Sequence, residues 1–152
     1  MPHRLLYIVI ILLLTVSCFA GNPLLRGTWK GYITSKSLDK DNKDGLPTTL
    51  TIIDDNNAGQ VVGEMTVQYR YQTDIYKAKY AIQGELNYQK FSISFTQTRL
   101  IYSDLLPKGL NWCFGSATLK IFRSTYKKKI YMDGYMNSNC GKEKMRVILV
   151  RQ

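Results

Sequence analysis

The chain has 152 residues, with 21 Lys and Arg against 11 Asp and Glu, a formal net charge of +10, one histidine and three cysteines. That length suits one domain around one core. The basic excess is scattered over turns and outward strand positions, apart from the run Lys127-Lys128-Lys129. With no nucleic-acid-binding motif beside it, this pattern excludes nucleic acid as a partner and leaves an anionic envelope surface as the partner that charge alone would favour.

Met1-Pro2-His3-Arg4 is a short positive segment, and residues 5–16 are apolar except for Thr15. The run is too short to cross a hydrocarbon core of about 30 Å, which takes roughly 20 residues. It reads as the apolar core of a signal peptide over residues 1–20, cleaved after Cys18-Phe19-Ala20, where small residues occupy the positions that a signal peptidase reads. The domain would then cover residues 21–152, secreted or periplasmic, with no transmembrane span in its mature form. A second reading stays open. Thr15-Val16-Ser17-Cys18 is an imperfect bacterial lipobox, so Cys18 is the alternative point of lipid anchoring; Thr stands where Leu is usual, which favours plain cleavage.

From Thr28 onward, eight runs of β-forming residues follow one another. They are expected at 28–35, 48–53, 60–71, 76–86, 90–101, 112–122, 130–136 and 144–150. The third alternates Val61, Met65, Val67, Tyr69 and Tyr71 with Glu64, Thr66, Gln68 and Arg70, which is the period of a half-buried strand. The fourth sets Ala78, Tyr80, Ile82, Gly84 and Leu86 against Lys77, Lys79, Gln83 and Glu85, and the fifth sets Phe91, Ile93 and Phe95 against Ser92, Ser94 and Thr96. No long segment after residue 20 repeats apolar residues at helical spacing. The fold class is therefore all-β.

The connections suggest the topology. Residues 54–59, 87–89 and 124–128 are compact polar turns, whereas 36–47, 72–75, 102–111 and 137–143 are mostly longer. In a meander, alternate connections share an end, so the pattern describes an eight-stranded antiparallel up-and-down barrel with one tight end and one loop-rimmed mouth. Such a barrel is about the size that is filled by side chains or holds one small ligand. Cys113 and Cys140 both fall at the mouth in this arrangement, and an even pair in an exported chain points to a disulfide. Two separately buried thiols are the alternative.

Gly27-Thr28-Trp29-Lys30-Gly31 resembles the G-x-W opening of the lipocalins and related calycin barrels, and Arg151 is placed like their C-terminal basic residue. The resemblance implies that Trp29 lies across the closed end and that Arg151 packs on it. Trp112-Cys113 before a late strand is similar to small lipocalin-like domains of secreted bacterial proteins. No other lipocalin motif and no C-terminal helix accompany these residues.

The inventory points away from catalysis. The single histidine, His3, lies in the export segment, and no spaced pair of acids stands out on an inward face, so neither an acid–base pair nor a hydrolytic triad assembles. No metal site of usual composition can form, and no cofactor is implied. Residues 39–45, Asp-Lys-Asp-Asn-Lys-Asp-Gly, invite comparison with a calcium loop, but Lys43 falls where a ligand is needed, and a solvated turn is the simpler reading. What remains is a binding module. Continuing the inward parity of the fifth strand past Phe95 places Gln97 and Arg99 inside, with Tyr69, Tyr71 and Tyr80 at the same level. Arg99 would then clasp the anionic head of a small amphipathic ligand. Two alternatives stand beside this: a bulge that turns Arg99 outward, and a filled structural or protein-interaction barrel of the cell envelope with no small-molecule ligand.

Overall fold

A computed structural model describes residues 25–54 and 59–152. The segment 1–20 expected to be a signal peptide, the cleavage site expected after Ala20, and Cys18 lie outside the described residues, as do positions 55–58 of the second connection. Eight strands form one closed antiparallel barrel in chain order: β1 (Gly27–Thr34), β2 (Leu46–Asp54), β3 (Gln60–Tyr71), β4 (Asp74–Asn87), β5 (Ser92–Ser103), β6 (Gly115–Arg123), β7 (Ile130–Ser138) and β8 (Lys144–Arg151). Closure is made by β1 and β8, where Trp29 stands opposite Arg151 and Thr34 opposite Arg146. The up-and-down barrel expected from the strand rhythm is the observed fold.

Alternation drives each strand to one inward face. Val61, Met65 and Val67 of β3, Ala78, Tyr80 and Ile82 of β4, and Ile93 and Phe95 of β5 are buried, while their neighbours are half-buried or exposed. Burial of these side chains is the main favourable contribution to folding, at about 1.5–3 kcal/mol for each large one. The inward row also contains glycines where strands bend sharply. A Cβ on Gly31 would stand 1.9 Å from the Ile148 carbonyl oxygen, and one on Gly63 would stand 2.1 Å from that of Thr51. No larger residue fits there, and these glycines let the strands coil enough to close a small barrel.

The two ends differ. At one end the turns at 88–91 and 124–129 are short, and Leu25, Trp29, Ile52 and Val61 pack beneath them as a solid plug. At the other end lie the connections 35–45, 104–114 and 139–143, together with a tight turn at Gln72-Thr73 in which Gln72 has φ 55°. The connection expected at 72–75 is thus shorter than its three companions, because β3 and β4 stay paired as far as Tyr71 and Asp74. Phe91, expected inside with Ile93, instead sits in the turn with φ 46° and is exposed. The chain must reverse there, and the reversal takes Phe91 out of the strand's alternation.

One seam is short. β5 and β6 pair only from Ser92–Lys120 to Thr96–Ser116, the shortest ladder of the barrel. Above Thr96 the strands part, and β6 begins at Gly115 rather than at Trp112 as the sequence suggested. The segment 104–114 covers the opening. It is held by Trp112 Nε1 donating to the Asp104 carbonyl oxygen at 2.9 Å, by Phe114 N donating to Asn139 Oδ1 at 3.0 Å, and by the disulfide. That bridge joins Cys113 to Cys140 with a Cα separation of 5.8 Å and ties 104–114 to the β7–β8 connection at the mouth.

Candidate functional site

Above the solid plug, the mouth half of the barrel holds a partly open cavity of about 200 Å³. Strands supply Ile33, Leu46, Val67, Tyr69, Tyr80, Gln97 and Met136 to its wall. The connections supply Leu38, Leu106, Leu110, Trp112 and Phe114 as its roof. None of the lining side chains is Lys, Arg, Asp or Glu. A sequence signal for the roof exists: Leu38 is an apolar residue in an otherwise polar loop, and 104–114 is a loop unusually rich in apolar residues, although Leu105 among them is exposed.

Two polar side chains reach the floor. Gln97 is 4% exposed; its Oε1 accepts the Gly115 backbone N–H at 2.8 Å, and its Nε2 donates to the Met65 sulfur at 3.5 Å. The first bond stands in for the ladder bond lost where β5 and β6 part, and it fixes the orientation of the amide. The second is weak, because a thioether is a poor acceptor. Tyr80 is 2% exposed, and its ring meets Phe114 edge to face at 5.4 Å. Its hydroxyl makes no hydrogen bond among the described residues. Burial pushes the Tyr80 hydroxyl up to about 12, so it keeps its proton and acts as a donor.

Tyr69 lines the rim. Its hydroxyl donates to Asp39 Oδ2, and desolvation together with that bond pushes it up to about 12. Asp39 caps a single 3-10 turn at Lys40–Asn42, accepting from the Asn42 backbone N–H at 3.1 Å and side chain at 2.8 Å. Asn42, itself buried, accepts from Arg70 N and donates to Arg70 O, and Asp41 accepts from Gln72 N. The acidic segment is therefore a latch that pins the first mouth connection onto β3.

The Asp39 carboxyl is held below the usual carboxylate value of 3.8, chiefly by the Tyr69 bond and then by the Asn42 bonds, with burial opposing. A depressed folded value means that the latch is fully present above the usual range and is lost as pH falls through the lowered one. We expect the protection factors of the Asn42 and Arg70 amides, taken relative to the intrinsic exchange rate at each pH, to fall selectively below about pH 4. An Asp39→Asn chain should resist that change. Uniform behaviour across the barrel would show that Asp39 is not the latch.

Arg99 requires correction. Ile82 pairs with Gln97 and Ala81 with Arg99, so Thr98 is an extra residue, and a second shift follows between Lys79 and Tyr80. The first bulge turns Arg99 to the outer surface, where it is exposed, and brings Leu100 opposite Tyr80. An unpaired guanidinium among apolar walls would be costly, and the bulge removes that cost. Tyr71 is 37% exposed at the end of β3 and takes no part in the cavity wall. Of the five candidate residues, the fold brings together Tyr69, Tyr80 and Gln97 and leaves out Tyr71 and Arg99.

At the closed end, Trp29 is fully buried and its Nε1 donates to the Leu25 carbonyl oxygen at 2.9 Å. Arg151, its partner across the closure, donates to the Arg26 carbonyl oxygen at 3.2 Å. Among the described residues no helix is long and apolar enough to cross a membrane, and no group of three His, Cys, Asp or Glu side chains is placed to hold a metal ion. Comparison with protein-family models, with curated proteins and with solved structures gives no match in any of the three.

Proposed function

We propose that this chain is an exported, lipocalin-like binding module that holds one small, largely apolar ligand in the mouth half of its barrel. The observation that carries the reading is the 200 Å³ cavity, walled by rigid strands and roofed by loops that a disulfide fixes in place. It lies just under the usual range for ligand pockets, which begins near 300 Å³, and above an engineered apolar cavity of about 150 Å³ that accepts benzene. A compact ligand of about one ring or a short chain is the size implied. The bridge supports an oxidising compartment, and the pairing of Trp29 with Arg151 across the barrel closure supports the calycin likeness. A binder suits the site better than a catalyst, because its two ionisable groups are tyrosines that keep their protons.

The filled-barrel alternative has two observations in its favour: the lower half is packed solid, and Leu105, on a mouth loop, is 94% exposed. Native mass spectrometry of the protein from its own host separates the two readings. A co-purified small molecule, released on denaturation, is the expected result. A bare mass, with no shift of cavity resonances when small apolar probes are added, would overturn the container.

A further inference from the structure

We infer that the cavity selects a small neutral carbonyl compound, its oxygen received by the Tyr80 hydroxyl and the Gln97 amide and its apolar body held by the loop roof. This rests on the container reading above and names the chemistry of its ligand.

The polar groups decide the class. A carbonyl oxygen has two acceptor sites, and the cavity offers two donors in search of acceptors. Tyr80 has a proton with no partner among the described residues, and Gln97 has one amide proton on a thioether and a second with no acceptor. Both side chains are more than nine-tenths buried and line the cavity, so a guest that displaces water from it must offer them acceptors or leave them unsatisfied. The remaining polar side chains of the wall are either bonded to protein or, like Asn111, exposed to solvent at the mouth. Tyr69 is bound to Asp39, and the Ser138 hydroxyl accepts from Cys140 N at 3.1 Å.

Charge is disfavoured on both counts that matter. No cation lines the cavity, since Arg99 faces outward, so a carboxylate would lose its hydration without a counter-ion. The Asp39 carboxylate, bonded to the rim residue Tyr69, would repel an anion. An ammonium would find the Tyr80 hydroxyl oxygen as an acceptor but no carboxylate among the lining side chains to balance its charge.

A matched set of probes tests this. Acetophenone, cumene and benzoate share a ring and differ at one substituent: a neutral carbonyl, a hydrocarbon and a carboxylate. In NMR titrations of the full barrel we expect acetophenone to bind about three- to ten-fold tighter than cumene, as one or two neutral hydrogen bonds imply, and benzoate to bind weakest. Tyr80→Phe keeps the ring and its contact with Phe114. It should erase most of acetophenone's advantage while leaving cumene within about two-fold. Isotope-labelled tyrosine ring carbons give a direct second readout, since the Tyr80 Cζ signal should move with acetophenone and stay put with cumene.

Equal binding of acetophenone and cumene, or an equal loss of both in Tyr80→Phe, would overturn the carbonyl inference while leaving the container in place. Tightest binding by benzoate would overturn it in favour of an anion site. If none of the three binds, the container reading itself fails.

Discussion

Trp29→Ala should destabilise the barrel by about 3–5 kcal/mol, the cost of deleting a large core aromatic. Trp29 is fully buried in the plug, and its indole N–H caps the Leu25 carbonyl. Removal would leave a void and also orphan that carbonyl, so the loss has a packing part and a hydrogen-bond part. Trp29→Phe separates them, because it retains much of the volume and forfeits the bond. Urea unfolding gives the measurement: the midpoint should fall for both variants, further for Ala, with little change in slope. A near-neutral Ala variant would mean that the closed end contributes no packing, and it would remove the basis for likening the chain to calycins.

The second large effect is expected from Cys113→Ser combined with Cys140→Ser. The bridge spans a sequence separation of 27. In the chain-entropy account, a loop of that length contributes about 3–4 kcal/mol by restricting the unfolded chain. Local consequences should be uneven. The segment 104–114 has no strand ladder of its own, so its exchange protection and the roof over the cavity should suffer before the plug does. Reduction of the wild-type chain should reproduce the double variant. Equal stability of oxidised and reduced protein would show that the bridge merely decorates a mouth already ordered by Trp112 and Gln97.

How much of this was legible in the sequence depended on whether a residue's environment is local. β3 was located to its observed ends because a half-buried strand writes its period directly into the residues. Cys113 and Cys140 could be placed at one end from the meander alone. Arg99 could not be oriented, because a single extra residue at Thr98 inverts everything beyond it, and nothing in Gln97-Thr98-Arg99 announces a bulge. The bulge arises from a requirement elsewhere: Leu100 can face the core opposite Tyr80 only if parity changes. Gln97 shows both sides of the matter. Parity placed it inside, but its bond to Gly115 depends on two strands separating, which is a property of the closed barrel rather than of either strand. Phe91 was lost to a turn whose length only the β4–β5 register fixes.

The separation of β5 from β6 also bears on how anything enters. A cylinder laced along its full height admits a guest only through its open rim or by coming apart. This one is laced strand to strand at that seam only from Ser92 to Thr96, and above that the wall is the segment 104–114, held by the Gln97 bond to Gly115, by the bonds of Asp104, Trp112 and Phe114, and by the disulfide. With fewer backbone rungs there than elsewhere in the wall, local opening is expected at this seam before it reaches the plug. For the ligand proposed above, the expected route of entry is then the wall beside β5 rather than the closed end, and faster amide exchange at Gly115 than at Trp29 would be its sign.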